Sequence, residues 1–76
     1  MNKDVIVRML EKELEDVFDK HPNRAEYMGV FREKCEVVYD VKIKKYQTGE
    51  KTFDELKESI MREEKELLQK DFNVEF

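Results

Sequence analysis

The sequence has no tryptophan, one cysteine, one histidine, one proline and two glycines in 76 residues. A single cysteine, Cys35, excludes an internal disulfide and the cross-linked frameworks that stabilise many very small domains. A single histidine, His21, with no CxxC or HExxH spacing, supplies no zinc framework in its place. Glycine-rich phosphate loops are missing too, since Gly29 and Gly49 stand alone. Neither a cofactor nor a metal is expected. Long apolar runs are absent: Val5-Ile6-Val7 is bounded by Asp4 and Arg8, which fits neither a membrane span nor a secretory leader. A soluble cytoplasmic protein without membrane contact is expected.

What the sequence has in abundance is charge. Charged residues make up 45% and hydrophobic ones 39%, and 19 acids against 15 bases leave a net charge of −4. Such a charge fraction is common in disordered chains. Here the apolar residues are regularly spaced and helix breakers are scarce, so the chain reads as folded. Its length allows one small helical domain over residues 1–76. A chain of this size buries only about 60% of the surface its unfolded form exposes. A second copy or another partner is therefore a natural source of stability.

Two turn signals divide the chain into three segments. In Lys20-His21-Pro22-Asn23 the proline blocks helix continuation, and Asn23 with Glu26 can cap the next helix. In Thr48-Gly49-Glu50-Lys51-Thr52 the glycine suits a left-handed helix end, and Thr52 with Glu55 forms a capping box. The first helix is expected over about 3–20, with Ile6, Leu10, Leu14 and Val17 as a buried stripe beside Val5, Met9 and Phe18. The third is expected over about 53–70, with Phe53, Leu56, Ile60 and Leu67 buried, widened by Met61 and Leu68. Glu64 falls inside that stripe and is expected at its boundary.

The middle segment is ambiguous. Residues 37–46 are rich in β-branched side chains and alternate in their second half, a strand signature. Over a longer window, Glu26, Gly29, Glu33, Glu36, Asp40, Lys44 and Gln47 align on one polar stripe roughly 80° wide at the helical period. That alignment predicts one helix over about 24–47, with a strand at 37–46 as the alternative. Five acid-before-base pairs at the favourable four-residue spacing support helices throughout: Asp4–Arg8, Asp16–Lys20, Asp40–Lys44, Glu58–Arg62 and Glu66–Lys70.

The expected architecture is an all-α antiparallel three-helix bundle. The middle helix has an apolar arc of about 240°, more than one neighbour can cover, and so belongs between the other two. Charge agrees. Residues 1–20 hold four bases and six acids, residues 21–52 seven and five, and residues 53–76 four and eight. The middle helix would span ~36 Å and its neighbours ~27 Å. Its end near Lys42 and Lys45 is therefore expected to overhang, because these lysines continue the angular line of Phe31 and Val38.

Enzymatic chemistry is not expected. Cys35 lacks a nearby base, since His21 lies beyond a turn, and it reads as a small buried residue. His21 suits a helix C-terminus electrostatically. Carboxylate pairs such as Glu11–Glu15, Glu33–Glu36 and Glu63–Glu64 map to exposed faces without a cleft. The expected function is non-enzymatic protein–protein interaction or regulation, with the protein as a homodimer. The expected contact residues are Tyr39, Ile43, Tyr46, Phe72 and Phe76, with Lys42 and Lys45 setting partner polarity. Tail residues Phe72, Val74 and Phe76 are apolar enough to dock on the bundle or on another chain. One alternative is a small inhibitor of mobile-element type that lays acidic faces (Glu11, Glu15, Asp19, Glu55, Glu58, Glu66) into a basic, nucleic-acid-binding groove. Another is nucleic-acid binding through Lys42, Lys44, Lys45 and Lys51, which the acidic net charge disfavours.

Overall fold

The structure, a computed structural model, describes residues 2–76. The chain is all-helical over those residues, but the expected three helices are five: α1 (Lys3–Glu13), α2 (Glu15–Phe18), α3 (Arg24–Val37), α4 (Asp40–Gln47) and α5 (Phe53–Phe72). The first expected helix bends at Leu14 (φ −101°, ψ 12°), which is buried. The bend is mild, because Phe18 N–H still reaches the Leu14 carbonyl at 3.0 Å. Tightened turns from Lys20 to Val17 and from His21 to Phe18 then close the segment before Pro22.

No strand forms at residues 37–46; this stretch holds the end of α3, a break, and most of α4. The expected continuous helix over 24–47 is corrected at the same place. At the break, the N–H groups of Val38 and Tyr39 both donate to the Lys34 carbonyl at 2.7 Å. The second of these spans five residues instead of four, a π-type widening. The row Tyr27, Phe31, Cys35, Tyr39 and Ile43 is spaced by four, so in an ideal helix it drifts ~40° at each step. A wide turn takes back part of that drift and returns Tyr39 and Ile43 to the direction of Phe31. β-Branching suggested a strand here, but burial of this row outweighs local propensity.

Lys3 braces the break from α1, donating to Glu36 at 3.2 Å and to Asp40 at 2.7 Å. The Asp40 hydrogen bond is the main reason the Lys3 ammonium is held above its ordinary pKa, and Lys3 in turn lowers the Asp40 carboxyl.

Capping follows the sequence closely. Asn23 accepts from Glu26 N–H at 3.2 Å, while its own N–H donates to His21 Nδ1 at 2.9 Å. Thr52 and Glu55 form a reciprocal capping box at 3.2 and 3.0 Å, and Gly49 takes φ +82°. Thr52→Ala is expected to cost about 1 kcal/mol, lowering the melting temperature by about 4–8 °C in a domain of this size. Calorimetry checks this. Helix α5 runs to Phe72, beyond the expected 70, and ends at Asn73 in the left-handed region (φ 54°). That turn brings Val74 back onto the core.

The core joins all five helices: one cluster holds Ile6 and Leu10 of α1, Val17 and Phe18 of α2, Phe31 of α3, Ile43 of α4, and Ile60 and Leu68 of α5. Phe18 packs on Phe31 with ring centroids 4.8 Å apart. The basic middle segment pairs outward as expected, through Arg32–Glu11, Arg24–Asp19, Lys34–Glu64 and Lys42–Glu63. Of the five expected helical pairs, Asp40–Lys44 closes, at 2.9 Å, among the described residues.

Candidate functional site

Helices α3 and α4 sort their apolar residues by type. Tyr27, Phe31, Cys35, Tyr39 and Ile43 are buried, whereas all four valines of the segment stay exposed. Val37 is 78% exposed, Val38 57% and Val41 62%. These three lie within one turn of each other across the α3–α4 break, and Val30 continues the same outer face about two turns before Val37. Valine has lower helix propensity than alanine, lysine or glutamate, so this outer face carries an apolar group at a local cost. Exposed apolar residues grouped this closely mark a contact surface more often than scattered single residues do.

The expected contact residues are divided by this sorting. Tyr39 (2% exposed) and Ile43 (0%) belong to the chain's own core and cannot meet a partner in this conformation. Tyr46 is half-buried, with its ring edge on Phe53 at 5.7 Å. Lys42 does not overhang: it donates to Ser59 and pairs with Glu63 at 3.6 Å on α5. Lys45 is exposed. Phe72 and Phe76 are exposed in part, but Phe72 meets the edge of His21 at 4.5 Å and Phe76 lies under the Lys65 ammonium at 5.5 Å. His21 also stacks on Tyr27 at 4.5 Å, so the turn before α3 is packed against the end of α5.

The charged faces are also partly committed. Among the acids, Glu11 binds Arg32, Asp19 binds Arg24, and Glu55 serves the Thr52 cap and meets Lys51. Among the lysines, Lys42, Lys44 and Lys51 each face a carboxylate. Lys42, Lys45, Lys51 and Arg62 line a shallow cleft of about 460 Å³, but Glu55 and Glu58 share it.

Glu64 is where the sequence reading missed a feature. It does not sit at the boundary of the α5 stripe but is fully buried, held by Lys34 at 2.9 Å. The Lys34 ammonium also lies over the rings of Tyr27 and Tyr39, at 5.9 and 5.8 Å. Burial, and then the Glu64 carboxylate, raise both phenols above their ordinary value. Glu64 Oε1 and the Tyr27 hydroxyl are buried without a hydrogen-bond partner among the described residues. The Glu64 carboxylate nevertheless lies close enough to raise the Tyr27 phenol. The signal was present in the sequence: a glutamate on a core stripe needs a base, and Lys34 lies on the apolar side of α3.

Cys35 is fully buried, and burial pushes its thiol up to about 12. A group raised in the folded state contributes fully below its unfolded pKa, so stability should hold to pH 9 and then fall as pH rises towards 12. The expected slope is about 1.4 kcal/mol per pH unit for each such group. Urea midpoints at several alkaline pH values measure it, and Cys35→Ala should flatten the slope just above pH 9. None of the described helices is long and apolar enough to cross a membrane. Compared with protein-family models, with curated proteins and with solved structures, the chain matches none.

Proposed function

We propose that the protein is a non-enzymatic interaction module that docks another protein through the valine face of α3 and α4. The observation that carries this reading is the exposure of Val37, Val38 and Val41 beside the buried row of Tyr27, Phe31, Cys35, Tyr39 and Ile43. Folding stability alone gives no reason to place valines there. Interface centres are apolar and poor in charge relative to the surrounding surface, and this patch meets that description in a chain with 45% charged residues.

A photoreactive residue at position 41, in cells that naturally make the protein, tests the reading. Discrete covalent adducts are expected there and not from the exposed turn at Glu50. Equal yields at both positions, or none at either, would contradict it. Salt separates this reading from the acidic-inhibitor one. Apolar docking should change little with ionic strength, whereas acidic faces in a basic groove should lose affinity steeply.

A further inference from the structure

We propose that the valine face receives a second copy of this chain, with the two α3–α4 segments antiparallel about a two-fold axis near residue 39. This rests on the reading of that face as a docking surface and names its occupant. The argument is charge complementarity along one row. Glu33, Val37, Val41 and Lys45 follow each other at four-residue spacing, and all four are exposed. The row is acid, valine, valine, base, which is self-complementary when reversed. A two-fold axis at its midpoint places Val37 against the partner's Val41 and Glu33 against the partner's Lys45, and repeats both contacts by symmetry.

The end charges are available for this. Neither the Glu33 carboxylate nor the Lys45 ammonium has an ion-pair partner among the described residues. By contrast, the nearby Glu36, Asp40 and Lys44 are paired within the chain. An unrelated partner would have to match both the valines and two opposite charges at the two ends of the row, one on α3 and one on α4. A second copy matches them by construction. The isologous arrangement also closes at two chains, so it does not propagate into fibres.

Sedimentation equilibrium of the full chain at low salt tests the proposal. Self-association to twice 9.3 kDa is expected, with a dissociation constant on the order of 10–100 µM for so small a patch. Glu33→Lys and Lys45→Glu, both on exposed positions, should each weaken association by about tenfold, and the double reversal should restore it to within about threefold. Circular dichroism melting confirms that these variants remain folded. A monomer at every concentration up to about 500 µM would overturn the proposal, as would a dimer indifferent to the charge reversals and to Val41→Asp. In either case, adducts from position 41 to a different protein would leave the docking reading standing.

Discussion

Tyr39→Ala should destabilise the protein by about 3–5 kcal/mol, whereas Val41→Ala, two residues away, should change stability by no more than about 0.5 kcal/mol. Tyr39 is a large buried side chain at the α3–α4 break, its ring 6.1 Å from Phe31 and 5.8 Å from the Lys34 ammonium. Removing it leaves a cavity that the bracketing helices cannot close without losing the wide turn. Small domains have total stabilities of about 5 kcal/mol, so the alanine variant should be largely unfolded at 37 °C. Ile43→Val removes one methylene from the same row and should cost about 0.5–1.5 kcal/mol, which keeps the measurement in range. Denaturant midpoints for the three variants suffice. Equal losses at 39 and 41 would mean that the segment does not sort its apolar residues as described.

Lys34→Met should be nearly as damaging, by about 3 kcal/mol. It leaves the Glu64 carboxylate fully buried without its cation, and breaking a buried pair by removing one partner typically costs about 3–5 kcal/mol. The lower end applies because Lys34 is partly exposed and water can enter where its ammonium stood. Glu64→Leu, in contrast, should be close to neutral. It removes the buried charge, fills the α5 stripe, and leaves Lys34 free to reach solvent. The double variant Lys34→Met with Glu64→Leu should recover most of the loss of Lys34→Met alone, since two apolar side chains can replace a buried ion pair at little or no cost. Thermal melts of the four proteins form a double-mutant cycle. A cycle without coupling would show that the 2.9 Å pair does not carry Glu64.

Turn and cap positions were readable in the sequence because they are local: Asn23, Gly49, Thr52 and Glu55 do in the fold what their chemistry dictates within four residues. The stripes of α1 and α5 were readable because their spacing stays close to the helical period. The break at Val38–Tyr39 was not, because it arises from the accumulated drift of a four-spaced row and appears only when Tyr27 and Ile43 must both face one core. Two of the expected contact residues, Tyr39 and Ile43, are buried for the same reason. On an unbroken wheel Tyr39 and Ile43 lie beyond what neighbouring helices can cover, and they read as available; the wide turn returns them to the core and leaves the valines outside. Lys42 likewise reads as an overhang until α4 is reoriented, after which it reaches Ser59 and Glu63. Glu64 was misplaced because a lone carboxylate on an apolar stripe is ordinarily peripheral, and its partner Lys34 is 30 residues distant.

Helices α3 and α4 turn their aromatics inward and their valines outward, and the proposed contact with a second chain depends on that sorting. Valine methyl resonances in the presence of a soluble nitroxide test it most directly. In dilute solution, below the dimer's dissociation constant, the methyls of Val37, Val38 and Val41 should broaden strongly while those of buried Val17 remain sharp. As concentration rises, Val37 and Val41 should become protected. Sharp Val37 and Val41 signals in dilute solution, with a broadened Ile43 methyl, would contradict the account.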